Sequence, residues 1–327
     1  MSYVCFDWEK RSKKCAVIGC SSMGACIAYT LAQSGLFDAL VLIDEDTRLA
    51  GGQAADLGCV APKDARLDIW AGDYTDLAGC SLIVLACGLC PVHETAAREL
   101  PALNLPLVRR AAAHIAAHAG DAVILVATQP VDLMTYILLH YSGLSPDRVL
   151  GLGTLADTLH LQRLLGRYLS VSPSFVDAMI LGQAGEYATA IWSGLRICGM
   201  DVDSWRTLLG RSTDSLILHS LFDDVLCASS RCTDAKGHAD FATAHAALTV
   251  AQAVMRDLNA LLPLCTLSDG RFGVKDVCMS LPCVLGRGGV IARPEPPLAP
   301  TEQAALEKSA ARLRAAIYEA EQSLYAT

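Results

Sequence analysis

Charge is what this sequence has least of. Only 18% of its 327 residues are charged, against roughly 25% in an average globular chain. Aromatic residues make up just 6%. There is no run of Lys or Arg, and 34 acids against 26 bases leave a formal charge of −8. That excludes the basic footprint of a nucleic-acid binder or of a protein held on an anionic membrane surface. Long apolar runs are missing too. The longest, over 80–92 and 121–131, fall short of the roughly 18 residues that a membrane-spanning helix needs. The N-terminal stretch MSYVCFDWEKRSKK lacks the apolar centre of a secretory signal. The expected location is therefore cytoplasmic, with no membrane and no nucleic-acid partner.

What is abundant is apolar. Hydrophobic residues reach 53%, which excludes a disordered chain. Thirteen Pro and 25 Gly, spread throughout, exclude a coiled coil. The 14 Cys are scattered, and several, such as Cys15, Cys26 and Cys80, sit inside apolar runs. They read as reduced thiols acting as small hydrophobes, not as a disulfide framework.

Short Val-, Ile- and Leu-rich runs recur at 15–19, 39–44, 66–70, 81–87 and 122–127. Such nearly continuous apolar strands suit a parallel sheet covered on both faces. Helices are expected between them at 22–34, closed by Gly35, and at 106–119, closed by Gly120. Strand–helix alternation over the first 150 or so residues reads as a doubly wound domain. After Gly151 and Gly153 the pattern changes. Helices are expected at 154–169, 213–230, 239–260 and 301–325, the last with Thr301 as N-cap after Pro300.

The first strand runs into Gly19-Cys20-Ser21-Ser22-Met23-Gly24, and Asp44 ends the next strand 20 residues later. This is the placement of a dinucleotide fingerprint. The first Gly permits the tight turn, and the last permits close strand–helix packing. The helix start faces a pyrophosphate, and the acid accepts from ribose hydroxyls. Asp44 favours NAD over NADP, because a 2′-phosphate would meet its charge. Ser21 stands where a middle Gly would let the backbone approach the pyrophosphate, so a weakened NAD site, or a strand–turn–helix with no ligand, is expected.

The segments VIGCSSMG (17–24), LVLID (40–44), AGDYTDL (71–77), TQPVDLMTY (128–136), SGLSPDRVLGLGTLADT (142–158) and LGQAGEYATAIWS (181–193) carry a resemblance. The chain resembles the L-lactate/malate dehydrogenase family over roughly 13–325, nearer its lactate branch. The resemblance implies an α/β protein. A Rossmann-type dinucleotide domain over 13–150 would precede an α+β substrate domain over 151–327. It also implies a homo-oligomer, dimer or tetramer, and NAD contacts at Gly19, Ser21, Ser22, Met23, Gly24, Asp44, Gly88 and Gln129.

The family moves a hydride between NAD and C2 of a 2-hydroxy acid. Its His exchanges a proton with the substrate oxygen, an Asp orients that His, one Arg forks the substrate carboxylate, and a second Arg closes over the carbonyl. Position by position, most of this is replaced. The family pattern G-E-H-G-D reads Gly182-Gln183-Ala184-Gly185-Glu186, so Ala184 stands at the proton-transfer His. D-x-x-R reads Asp157-Thr158-Leu159-His160, which keeps the Asp and loses the fork. The loop pattern G-E-T-R reads His93-Glu94-Thr95-Ala96, with Arg98 two residues beyond. T-N-P-V-D reads Thr128-Gln129-Pro130-Val131-Asp132, and the small-domain Thr near the substrate aligns with Ala239. Gln162 and Asp177 stand at the Arg and His of the family's sugar-bisphosphate site.

Losing one proton-transfer group forfeits about 10²–10⁴-fold in rate, and losing the carboxylate clamp adds to that. The favoured expectation is a pseudoenzyme that retains at most weak NAD binding and acts by binding, or by assembling with itself or with an active relative. The alternative is an active NAD-dependent oxidoreductase with a changed substrate, using His160 and Asp157 as a re-sited acid/base pair. A third reading uses Cys87 and Cys90 as a redox CxxC pair. No metal is expected, since only His93 could join those thiols and no second CxxC exists. His114 and His118 lack the intervening Glu of a metalloprotease helix and read as exposed.

Overall fold

The computed structural model describes the backbone of residues 13–61, 66–89, 94–209 and 215–325; the side chains of 94–98, 206, 209, 215 and 323–325 lie outside the description. In the first half, strands and helices alternate: β1 (Lys14–Ile18), α1 (Ser22–Ala32), β2 (Ala39–Ile43), α2 (Thr47–Val60), β3 (Asp68–Ala71), β4 (Leu82–Leu85), α3 (Glu94–His118), β5 (Val123–Val126), α4 (Val131–Ser142) and β6 (Val149–Gly151). The second half holds α5 (Leu155–Leu169), β7 (Val176–Asp177), β8 (Ile180–Gly182), β9 (Ala188–Ala190), β10 (Arg196–Ile197), β11 (Met200–Asp201), α6 (Val202–Leu209) and α7 (Ser215–Lys236). It ends with α8 (Asp240–Arg256), β12 (Ala260–Asp269), β13 (Lys275–Gly286), β14 (Gly289–Ala292) and α9 (Pro300–Tyr325).

The large sheet runs β3-β2-β1-β4-β5-β6-β12-β13-β8-β9. Its first six strands pair in parallel, in the order of a doubly wound dinucleotide fold. The first, second, fourth and fifth apolar runs become these strands, and their side chains are almost wholly buried. The sheet continues into the second half because β12 pairs antiparallel with β6 at Cys265 and Gly151. β12 and β13 then form a long antiparallel pair, so the second half is α+β as expected.

Several boundaries differ from the sequence reading. The helix expected at 106–119 begins at Glu94 and contains both Pro101 and Pro106. The helix expected to reach 260 stops at Arg256. Asp257 and Asn259 take positive φ there, which turns the chain into β12. The last helix starts at Pro300, not after Thr301. Its N-terminus is held by Glu302, whose carboxylate accepts from the Ala299 N–H at 2.8 Å. Proline suits the first helical position because its missing N–H would have no intrahelical partner there.

The turn after β1 allows almost no change. Gly19 has φ +99°, and a Cβ there would lie 2.4 Å from the Cys87 backbone nitrogen. A Cβ on Gly24 would lie 1.8 Å from the Gly19 carbonyl oxygen. Gly24→Ala is therefore expected to cost about 2–3 kcal/mol of stability, as overpacking against backbone does. Urea unfolding checks this, and a loss below about 0.5 kcal/mol, the range of an ordinary surface change, would contradict it.

Candidate functional site

The glycine-rich turn sits between β1 and α1, and Asp44 reaches it from the end of β2. One Asp44 oxygen accepts from the Cys20 N–H at 2.6 Å and the other from the Asp46 N–H at 2.9 Å. A carboxylate has about four acceptor positions, so capacity for ribose hydroxyls remains. Ser21 is exposed and caps α1 with extended backbone, but its side chain makes no capping hydrogen bond. Ser22, the first residue of α1, donates its hydroxyl hydrogen bond to the carboxylate of Asp240 at the start of α8. Asp240 is buried, and Nδ1 of His238 lies 3.1 Å from the same oxygen. Met23 is buried beside this contact and lines the cleft below it.

That cleft is a cavity of about 1140 Å³ between the two halves. Gln129, Asp157, His160, Ala184 and Ala239 all line it. α5 is fastened to β8 by two hydroxyls: Thr154 donates to the Ile180 carbonyl, and the Ile180 N–H donates to Thr158 at 3.0 Å. Ala184 is held from the other side, where buried Asp132 accepts from its N–H at 2.8 Å. Burial pushes the Asp132 carboxyl up to about 6, against the opposing pull of that N–H and of the Cys265 thiol.

The Asp157 side chain makes no hydrogen bond or ion pair among the described residues. It lies below the surface but open to the cleft, and burial alone pushes its carboxyl up to about 6. His160 lies one turn on, yet the two are not joined. Burial lowers the His160 pKa, the nearby Arg163 cation lowers it further, and Asp224 on α7 opposes both. The structure thus places both residues of the expected acid/base pair in the cleft without bringing them into contact.

Asn104, a fully buried residue of α3, was not singled out from the sequence. Its Oδ1 accepts from the Leu89 N–H at 2.8 Å, and its Nδ2 donates to the Leu89 carbonyl at 3.0 Å and the Gln129 carbonyl at 2.7 Å. It ties the segment after β4 to the cis Gln129–Pro130 peptide. Gly88, at φ +111°, is pressed against it, and a Cβ there would lie 2.5 Å from the Asn104 Oδ1. A lone amide inside the apolar run ALNLPLV was the available signal.

The chain matches two family models, described as the lactate/malate dehydrogenase NAD binding domain over 13–151 and the lactate/malate dehydrogenase alpha/beta C-terminal domain over 154–324. This chain belongs to the lactate/malate dehydrogenase family. It is 35% identical over 299 residues to the L-lactate dehydrogenase of Salinibacter ruber, covering 91% of this chain and 94% of that one. It is 32% identical over 306 residues to that of Thermoanaerobacter sp. (strain X514), covering 94% and 98%. Among solved structures, the minor L-lactate dehydrogenase of Enterococcus mundtii in its ligands-bound form superposes with a TM-score of 0.88. It is 27% identical and covers 94% of this chain and 98% of its own.

Within this family frame, the backbone of the glycine turn and Asp44 fit the adenosine end of NAD. At the start of α1, where the family's pyrophosphate would lie, buried Asp240 accepts from the Ser22 hydroxyl and has Nδ1 of His238 at 3.1 Å. Gln162, at one effector position, donates to the Ala178 carbonyl at 3.0 Å, and Asp177, at the other, is exposed on β7. Cys90 and His93 lie outside the described residues. Ala96 and Arg98 lie on α3, but their side chains lie outside the description. Cys87 is described, and burial pushes its thiol up to about 11, opposite to the direction that makes a reactive thiolate. His114 is exposed as expected, stacked on Tyr74 with ring centroids 4.2 Å apart. Among the described residues no helix is long and apolar enough to cross a membrane.

Proposed function

We propose that this member of the lactate/malate dehydrogenase family is a pseudoenzyme for the family reaction: it does not reduce 2-oxo acids at a useful rate and retains only weak NAD binding. The observation that carries this is Ala184 in the same cleft as an unpartnered Asp157. The carboxyl whose family role is to orient a His has no His to orient. His160 supports the same reading. A neutral imidazole whose pKa is lowered by burial and Arg163 cannot fork a carboxylate as a guanidinium does. Steady-state NADH oxidation over pyruvate, oxaloacetate and longer 2-oxo acids tests it. Rates at the no-protein baseline are expected, and turnover near the ordinary enzymatic range of about 1–10³ per second would overturn it.

The alternative, an active oxidoreductase built on His160 and Asp157, has less support, because no hydrogen bond or ion pair joins the two side chains. Self-assembly as a dimer or tetramer, or assembly with an active relative, accords with the family resemblance and with exposed apolar side chains such as Phe175, Leu208 and Phe241. Sedimentation measures it directly.

Weak NAD binding has its own support in the contact of Ser22 with Asp240. A pyrophosphate at the start of α1 would meet a buried like charge. Asp240→Asn keeps the shape and removes the charge, so it is expected to tighten NADH binding about tenfold, or roughly 1.4 kcal/mol. Fluorescence titration with NADH reads this, and an unchanged or weaker affinity would contradict it.

A further inference from the structure

We propose that the cleft around Asp157 is a binding site for a small organic cation, a protonated amine carried on an apolar body. The proposal rests on the reading above, that the cleft has left 2-oxo acid chemistry, and it names the ligand class that replaces the acid.

The geometry is that of a carboxylate with nothing to pair with. Asp157 sits in the first turn of α5, faces the cavity, and meets no donor and no cation among the described residues. Burial is the only influence resolved on it. Charged groups that are buried in proteins are paired, because taking an ion out of water costs several kcal/mol that only a partner recovers. Asp157 is half-buried at the cleft and no described group of the chain pairs with its carboxylate, so a cation held in the cleft would supply the partner. The cavity that Asp157 faces has an apolar part of its lining in Met23, Val131, Leu152, Ala156, Leu159 and Ala184, beside polar residues such as Gln129 and His160. Those apolar side chains suit a hydrocarbon body, and the unpaired Asp157 carboxylate suits a cationic group that fixes its orientation. Ala184 leaves open the space that an imidazole would take at that position.

An anionic ligand fails the same test. It would add a second negative charge beside an unneutralised carboxylate, and the residue standing for the family's forked Arg is His160. The Lys and Arg residues that line the cavity are Arg163, Arg167 and Lys236. Both Arg residues are exposed, and Lys236 is held 4.1 Å over the Phe241 ring. Arg163 acts on His160, but no charged neighbour is resolved as acting on Asp157.

Calorimetric titration of the full chain without nucleotide tests this with three probes of one shape: benzylamine, benzyl alcohol and benzoate. At about pH 7.5, where Asp157 is ionised, benzylamine is expected to bind at least about tenfold more tightly than either of the others. Asp157→Asn is expected to remove that preference. Ala184→His, which fills the space and supplies an internal partner, is expected to remove it too. Melting curves confirm that both variants are folded. Benzoate binding more tightly than benzylamine would overturn the proposal, as would benzylamine binding that survives Asp157→Asn, or no benzylamine binding at all. Turnover of pyruvate by the unaltered protein would instead overturn the pseudoenzyme reading, so the two failures are separable.

Discussion

Replacing Ala184 by His and His160 by Arg together is expected to raise NADH-dependent pyruvate reduction by at least about a hundredfold over the unaltered protein, the lower end of what one proton-transfer group contributes. The scaffold for this gain is already in place. Asp132 holds the Ala184 backbone by a 2.8 Å hydrogen bond, so a His there starts from a fixed position. Asp157 has no competing partner and would orient the new imidazole and stabilise its cation, and its own carboxyl would then ionise more readily. The Arg at 160 supplies the fork that a His cannot. Each single change is expected to give less than its share, because groups that act as a unit are strongly non-additive. Adding Ala96→Arg, at the position of the family's loop Arg, is expected to raise the rate further. The measurement is kcat/KM from NADH absorbance. A double variant no faster than the parent would mean that the cleft differs from its relatives by more than these side chains.

Asp157→Asn is expected to stabilise the protein at about pH 8 by roughly 1–2 kcal/mol, although most single changes destabilise. The carboxyl rises from 3.8 to about 6 on folding, with burial as the cause. A raised carboxyl holds its proton more tightly in the folded protein, so folding is favoured at low pH. The contribution is fully present below about 3.8 and is lost as pH rises through about 6. The full shift corresponds to about 3 kcal/mol at 1.36 kcal/mol per unit. Opening to the cleft, and loss of a favourable charge in the first turn of α5, reduce what Asn recovers. The variant should therefore melt a few degrees higher at about pH 8, with the difference closing near pH 4. A variant that melts lower at about pH 8 would show that the carboxylate has a stabilising partner after all.

How much of this was legible in the sequence varied with how local the cause was. The parallel strands were readable because residues such as Val17, Leu42, Val84 and Leu125 lie in short, unbroken apolar runs buried on both faces. α2 was not, since Gly51 and Gly52 near its start weaken a helical pattern; its N-terminus is secured by Asp46, which accepts from the Arg48 and Leu49 N–H groups. The long pair of β12 and β13 was hidden by Pro263 and Pro282, which argue against a strand individually but lie opposite each other in its register. At the site, Ala184, His160 and the retained Asp157 could be placed because the flanking motifs fix their positions. The contact of Ser22 with Asp240 could not, because it joins residues 218 apart and depends on α1 packing against α8. Nor could the separation of His160 from Asp157 be read, since their spacing of three residues permits contact on a helix without requiring it.

Loss of the chemical step and weak cofactor binding look alike in a steady-state assay. A single-turnover experiment removes that ambiguity. The unaltered protein is saturated with NADH, mixed with excess pyruvate, and followed by nicotinamide absorbance. No loss of NADH beyond the no-protein control is expected over minutes. A decay of bound NADH at about 1 per second or faster, within the range of working enzymes, would contradict it.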